Sequence, residues 1–426
     1  MWEWEILIVI NKLSFVFFRD VISLYGVAAV NLLLPILFIP YASMKIGVYD
    51  FGSFAVLASL FQYGNMVVEF GTTSPLVKTL SSGNSIAIFF GAVVFRFYLS
   101  IASAMTIFFI LRFSYNEVDV LSVFISFLSL IGTALNPVAL FQSKGKLPIY
   151  SFLMFVSRLF TLICSVFFLQ YYKEIWVVCF FQFFPIFLAS ILSLIFLFNK
   201  EKLKLCKKDA FLENKQVSGD SVSFFIGTVF SSGYTVAIPI IVNHFFGSGA
   251  AGVYGIIDRV VQPIKQVIMP LINVLYPKIC FLFSNNRRSA VLLSIKATSL
   301  ICALVMFFSF IAFFLMEYIS KYVFKSIVSE AYLYPMVLNV LFVFISQLFV
   351  FFFIVPLGKG KILKIIYMIM FVFFVAMTSF SVWINSLVFI YWTLAVIELS
   401  GVIFLFSVSY FTVREILIDN ENIEHV

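Results

Sequence analysis

IGVYDFGSF at residues 46–54 and FGSGAAGVY at residues 246–254 form an internal repeat that organises the whole chain. The pairs that match at an offset of 200 residues are Gly47 with Gly247, Gly52 with Gly252, Phe54 with Tyr254, and Gln62 with Gln262. Several matches in one register indicate a duplicated structural unit rather than a chance likeness.

Long apolar runs on both sides of each repeat predict a membrane protein. The chain has 426 residues, of which 63% are hydrophobic and 11% charged, and its mean hydropathy is +1.10. Soluble proteins carry about 25% charged residues, and a spanning helix needs roughly 20 apolar residues. About twelve runs reach that length, at residues 21–41, 51–71, 86–110, 119–141, 149–170, 175–198, 221–243, 253–275, 290–315, 333–355, 365–384 and 388–410.

The distribution of Lys and Arg predicts the orientation of these spans. If the N-terminus is cytoplasmic, 19 of the 28 basic residues lie in cytoplasmic segments and five in external ones. Cytoplasmic loops are enriched in Lys and Arg, so this bias favours an even number of spans with both termini in the cytoplasm. The net charge of +8 is therefore a topology signal, and nucleic-acid binding is not expected.

The basic stretch 199–220 predicts the boundary between two halves. It follows the sixth predicted span and is the longest polar segment. We expect a six-helix bundle at 1–198, a cytoplasmic linker at 199–220, a second six-helix bundle at 221–410 and a cytoplasmic tail at 411–426. Because six is even, both bundles cross the membrane in the same sense, which predicts a pseudo-two-fold axis along the membrane normal. The fold class is thus an all-α polytopic membrane protein.

The eighth predicted span carries the densest set of polar residues within hydrocarbon. Its polar positions share one face of a helical wheel and are Gly255, Asp258, Arg259, Gln262, Lys265, Gln266 and Asn273. A charged side chain at the bilayer centre costs about 2.5–3.5 kcal/mol on insertion scales, so this face is not expected to meet lipid. It predicts either a polar substrate cavity or structural pairing of Asp258 with Arg259 or Lys265. Pro263 and Pro270 predict a kink in this span.

Other spans add polar residues that we assign to the same cavity. The additional candidates for substrate binding are Asn31, Gln62, Asn65, Arg96 and Arg158. The alternative role of Arg96 is to extend to the cytoplasmic interface, and that of Arg158 is to pair with a backbone carbonyl. Asp258, Glu69 and Glu398 are candidates for coupling transport to H⁺ or Na⁺. Four cations against three acids within the spans favour an anionic ligand.

Motifs that are missing from the sequence exclude several activities. There is no GxxxxGK[ST] loop, which excludes a built-in ATPase of that type. There is no HExxH or Cys/His cluster, and the five cysteines show no metal-ligand spacing. We therefore expect neither an enzyme nor a metal or cofactor site.

The run from Pro35 through IGVYDFGSFAVLASLFQYGNMVVEFG resembles the start of Wzx-type O-antigen flippases. These belong to the polysaccharide-transporter branch of the MATE-like (MOP) superfamily and show a Gly-x4-Gly-x-aromatic turn before spans 2 and 8. The turns here are Gly47–Gly52–Phe54 and Gly247–Gly252–Tyr254. Chain length, span number and the central basic loop are also similar, so the resemblance covers nearly the whole chain.

The resemblance implies two six-helix bundles that open alternately to each side of the bacterial inner membrane. The implied substrate is an undecaprenyl-pyrophosphate-linked repeat unit, and the implied partners are an O-antigen polymerase and a chain-length regulator. Arginines in the cavity of similar lipid II flippases help to hold the pyrophosphate, and Arg259 is the position that we carry over. This chain has no arginine in the middle of its first two spans, which departs from that pattern.

Two other functions stay open on the sequence. A MATE-type antiporter for small cations would have the same fold but an acidic cavity. An O-antigen polymerase, which is a membrane glycosyltransferase, would carry a large external loop with catalytic arginines. The predicted external loops are short, and the interior is slightly positive.

Overall fold

The computed structural model of the protein describes residues 34–81, 87–114, 119–200, 215–285, 287–324, 327–357 and 359–424. Ten helices within these ranges are long and apolar enough to cross a membrane. They correspond to ten of the predicted spans, which confirms an all-α multi-pass membrane protein. Most of the predicted span 21–41 lies outside the described residues, which begin at Leu34.

Two compact units divide the described chain. The helices that lie wholly within the unit Ile36–Arg259, or begin just before it, are α1 Leu34–Ile46, α2 Val48–Glu69, α3 Thr73–Ser81, α4 Ala87–Ser114, α5 Val120–Leu135, α6 Val138–Ser143, α7 Leu147–Tyr171, α8 Ile175–Lys200 and α9 Lys215–Phe246. The next helix, α10 Ser248–Gln266, crosses the unit boundary.

The second unit contains Val260–Val426. Its further helices are α11 Met269–Asn285, α12 Arg287–Phe314, α13 Glu330–Phe349, α14 Gly360–Trp383 and α15 Leu387–Glu424. Single π-helical turns follow at Ile319–Val323 and Val350–Ile354. The boundary between the units differs from the predicted linker 199–220, part of which lies outside the described residues. The division into bundles 1–198 and 221–410 with a tail at 411–426 stays a prediction.

The internal repeat is confirmed in backbone conformation and contacts. Gly47 and Gly247 both adopt positive φ, at 92° and 85°, directly before α2 and α10. The backbone N–H of Gly47 donates to Ser43 at 3.0 Å, and that of Gly247 donates to Asn243 at 3.1 Å. The burial of residues 47–57 also repeats in the same order at 247–257.

The two copies of the repeat meet each other within the unit Ile36–Arg259. A Cβ atom built on Gly52 would lie 1.9 Å from the carbonyl oxygen of Ser248. A Cβ atom on Gly252 would lie 1.9 Å from the carbonyl oxygen of Val48. These contacts are related by the same 200-residue offset, so α2 and α10 cross with local two-fold symmetry. Glycine is required at both positions because two backbones approach too closely for any side chain.

The predicted span 253–275 is not one continuous helix. Helix α10 ends at Gln266, Val267 and Ile268 form a turn, and α11 begins at Met269. Pro270 has no backbone N–H to donate across this turn, which explains the interruption. The predicted kink is therefore confirmed, and one continuous helical wheel applies only as far as Gln266.

The second and fourth spans are also interrupted. Phe70 and Gly71 adopt left-handed φ values of 47° and 61° between α2 and α3. Asn136 and Pro137 separate α5 from α6, as expected because a residue before proline is disfavoured in helical conformation. Beyond these breaks, Leu76 of α3 and Ala139 of α6 share an apolar cluster with Ile88 and Ala92.

Close packing of α5 on α8 gives a test of the fold. A Cβ on Gly132 would lie 2.6 Å from Cα of Phe187, and the Gly132 carbonyl accepts a hydrogen bond from Ser190 at 2.8 Å. We expect Gly132→Ala to lower the free energy of unfolding by about 1–3 kcal/mol through overpacking. Gly227→Ala is the matched control, because a Cβ there meets nothing within 4 Å. Thermal unfolding of both variants in detergent checks this; equal melting temperatures would contradict the packing.

Candidate functional site

Arg259 lies within helix α10, shortly after the second copy of the repeat, which ends at Tyr254. Its guanidinium carbon lies 5.5 Å from the centre of the Phe54 ring, which belongs to the other copy of the repeat. The side chain is half-buried and interacts electrostatically with Asp258. A cation over an aromatic face is attracted by the ring quadrupole, so Phe54 orients Arg259 without neutralising its charge.

The rest of the polar face of α10 lies in the second unit. Lys265 is 9% exposed, and its carbonyl accepts from the side-chain amide of Gln347 at 3.5 Å, a marginal distance. Gln262 is half-buried and Gln266 is exposed at the end of the helix. The side chain of Asn273 on α11 is outside the described part of the structure. Charged and amide side chains therefore occur along α10 from Asp258 to Gln266, its last residue.

The polar residues of the second span are used in different ways. Gln62 is exposed on α2. Asn65 donates to the hydroxyl of Ser129 at 3.2 Å and accepts from the hydroxyl of Thr133 at 2.7 Å. These two bonds join α2 to α5. Glu69 is exposed and accepts from the Thr73 hydroxyl at 2.9 Å.

Arg96 of α4 is buried, with 1% of its surface exposed. Its Nε donates to the Thr72 hydroxyl at 2.7 Å, and Nη2 donates to the Thr73 hydroxyl at 3.3 Å. Its Nη1 donates to the carbonyl of Asn136 at 3.4 Å. The guanidinium therefore contacts the breaks of both the second and the fourth span.

The remaining predicted residues lie apart from these groups. Arg158 is half-buried on α7. Glu398 is 8% exposed on α15 and interacts electrostatically with Tyr367. Asn31 lies outside the described residues.

The structure brings some predicted residues together in the unit Ile36–Arg259. In Ile36–Arg259 it joins Arg96 to Glu69 through Thr73, and it places Arg259 beside Asp258. The partners of Arg96 were not predicted, although Asn136-Pro137 within an apolar run was a signal for a helix break.

An apolar groove in the second unit was also not predicted. Its volume is about 480 Å³, and it is lined by α10, α11, α12 and α13 and by the segment around Met316 to Phe324. Ser309 is the one polar side chain among its lining residues. No sequence signal marks this groove, because its residues are as apolar as those that face lipid.

Charged and amide side chains held within a bundle of broken, membrane-spanning helices are typical of transporters. Solved structures of transporters share this fold. An inward-facing multidrug resistance MATE family transporter of the MOP superfamily aligns with a TM-score of 0.62 at 10% identity, covering 91% of this chain and 94% of that one. An outward-facing one gives 0.61 at 10% identity and covers 94% and 95%. At this identity the likeness establishes the fold alone.

Residues 17–283 match the family described as polysaccharide biosynthesis protein, so the chain belongs to that family. This confirms the resemblance drawn from the repeat. A similar relative is the "Putative O-antigen transporter" of Escherichia coli (strain K12). It is 27% identical over 294 residues, which are 67% of this chain and 70% of that protein.

Proposed function

We propose that the protein translocates undecaprenyl-pyrophosphate-linked O-antigen or polysaccharide repeat units from the cytoplasmic to the periplasmic leaflet of the bacterial inner membrane. The observation that carries this proposal is family membership over residues 17–283, and the similarity to the E. coli relative supports it. Translocation makes and breaks no covalent bond in the substrate, so the protein acts as a transporter and not as an enzyme.

The charges within the spans supply what such a substrate needs. A pyrophosphate and a chain of sugars cannot cross hydrocarbon without polar contacts, since each unsatisfied polar group costs several kcal/mol there. Arg259 and Lys265 would contact the anionic pyrophosphate, while amides such as Gln62, Gln262 and Gln266 would bond to sugar hydroxyls. Asn31, Asn273 and Arg158 complete the proposed lining.

Alternating access would move this substrate between the leaflets. Asp258, Glu69 and Glu398 are the proposed sites for coupling to H⁺ or Na⁺, and no other cofactor is required. Both termini would be cytoplasmic, in keeping with the bias of basic residues. The translocated units would then be used by an O-antigen polymerase with its chain-length regulator.

A deletion strain tests the function directly. We expect loss of long surface polysaccharide and accumulation of finished single repeat units on the cytoplasmic leaflet, with restoration by the wild-type gene. The measurement is surface polysaccharide together with lipid-linked units sorted by leaflet. Single units that reach the periplasmic leaflet but never join would indicate a polymerase. Unchanged polysaccharide with altered resistance to cationic drugs would indicate a MATE-type antiporter.

A further inference from the structure

We propose that Arg96 is a positioning residue that locks the broken second and fourth spans together, and that it does not contact the substrate. This inference rests on the proposed transport function for its activity measurements. It assigns to Arg96 a role different from the substrate contact that its position within a span first predicted.

Arg96 lies well inside its membrane-spanning helix. Arg96 lies nine residues after Ala87, the first residue of α4, which corresponds to about 14 Å along the helix axis. At that depth an arginine is expensive unless its hydrogen bonds are satisfied by protein. The long side chain bonds to Thr72, Thr73 and the Asn136 carbonyl. These bonds satisfy the guanidinium inside the protein.

The acceptors of the Arg96 hydrogen bonds all lie at or beside interruptions of a helix. Each interruption of a helix leaves backbone groups without their usual partner. One such group is the Glu69 carbonyl, which accepts a hydrogen bond from the Thr72 hydroxyl at 2.6 Å. Another is the Val138 N–H, which donates to the side-chain oxygen of Asn136 at 3.0 Å. Arg96 bonds to both interrupted segments at once. A planar guanidinium with five N–H donors is suited to this, because its donors point in different fixed directions.

Hydrogen bonds also connect Arg96 to an exposed acid. Arg96 Nη2 donates to Thr73, whose hydroxyl donates to the Glu69 carboxylate. The buried positive charge and the exposed negative charge therefore stabilise each other through one hydroxyl group. Arg96 consequently fixes both the geometry of the breaks and the position of Glu69, which is a proposed ion-coupling residue.

Burial argues against a direct contact with substrate. With 1% of its surface exposed, Arg96 has no face that a pyrophosphate could reach. The short helices α3 and α6 and their apolar cluster with Ile88 and Ala92 lie on one side of the breaks. Arg96 thus joins a small packed block, α3 with α6, to the longer helices α2 and α5.

Substitutions that separate charge from geometry test the proposal. We expect Arg96→Lys to lower transport about tenfold or more, because one ammonium cannot replace hydrogen bonds to both breaks. Thr73→Val is expected to lower it several-fold, and Thr73→Ser, which keeps the hydroxyl, to restore it. Thr106→Val is the matched control, since the exposed Thr106 hydroxyl bonds to Ala102 O of its own helix at 2.9 Å. Protein levels in the membrane are measured in parallel.

A double-mutant cycle distinguishes positioning from substrate contact. If Arg96 acts through Thr73, Arg96→Gln and Thr73→Val remove the same connection, and the double variant transports about as well as Arg96→Gln alone. If Arg96 contacts the substrate independently, the two losses multiply. Transport by Arg96→Lys at the wild-type level, or multiplying losses in the cycle, would overturn the proposal.

A labelling experiment gives a readout that does not depend on the substrate. Ala139 is fully buried in the cluster between α3 and α6. Ala139→Cys, in a background with the five native cysteines replaced with alanine, is expected to resist a membrane-permeant maleimide. Adding Arg96→Lys should raise labelling about tenfold as the block loosens; unchanged labelling would contradict the locking role. If instead the wild-type protein fails to restore polysaccharide, the proposed function fails, and this readout still tests the lock.

Discussion

Gly252→Ala is expected to lower the melting temperature of the purified protein and to reduce transport at least tenfold. The new Cβ would lie 1.9 Å from the Val48 carbonyl oxygen, which is backbone and cannot rotate away. Relief requires α2 and α10 to separate along their crossing, and overpacking of this kind costs about 1–3 kcal/mol. The measurements are thermal unfolding in detergent and restoration of surface polysaccharide in the deletion strain.

Gly249→Ala is the matched control for this substitution. Gly249 lies in the first turn of the same helix, and a Cβ there meets nothing within 4 Å. Because alanine is favoured over glycine within helices by roughly 1 kcal/mol, this variant should be as stable as the wild type or slightly more so. Equal behaviour of Gly249→Ala and Gly252→Ala would show that the crossing is looser than the contacts require.

The local two-fold symmetry extends this expectation to Gly52. Its Cβ would lie 1.9 Å from the Ser248 carbonyl, the counterpart of Val48 at the 200-residue offset. Gly52→Ala should therefore match Gly252→Ala in both measurements. The double variant should lose less than the sum of the two single losses, because one separation of the helices relieves both clashes.

Much of this fold could be predicted because lipid imposes simple rules on sequence. A run of about 20 apolar residues must form a helix in hydrocarbon, so ten of the predicted spans were found where the hydropathy placed them. The glycines of the repeat could be interpreted from sequence because glycine is needed where two backbones are in contact. The helix break at Val267 and Ile268 was harder to place, since Pro263 and Pro270 predict a kink but do not say which turn opens.

The candidate site was predictable in its residues but not in their partners. A charge within a span must be satisfied, which marks Arg96 and Arg259 from sequence alone. The sequence does not say what satisfies them. Arg96 bonds to Thr72, Thr73 and a carbonyl at helix breaks, whereas Arg259 lies over Phe54. These contacts depend on the packing of helices that are distant in sequence, which hydropathy does not encode.

Arg259→Ala is expected to stop transport while leaving insertion into the membrane intact. Arg259 is half-buried, lies over the Phe54 ring, and occupies the position that the flippase resemblance assigns to pyrophosphate binding. A hydrogen-bonded charge pair lost from a binding site typically costs 2–5 kcal/mol, which corresponds to a loss of roughly thirtyfold or more. Surface polysaccharide and membrane protein level, measured in the same cells, check both parts of the expectation.

Three further variants separate the roles of Arg259. Arg259→Lys keeps the charge but loses the planar guanidinium, so partial transport is expected. Phe54→Leu removes the aromatic face and should lower transport by about two- to thirtyfold, the range that corresponds to cation–π attraction. Arg112→Ala removes an exposed arginine at the end of α4 and should have no effect. Full surface polysaccharide with Arg259→Ala would exclude this arginine from the binding site, and the anionic group would then have to bind to Lys265 or Arg158.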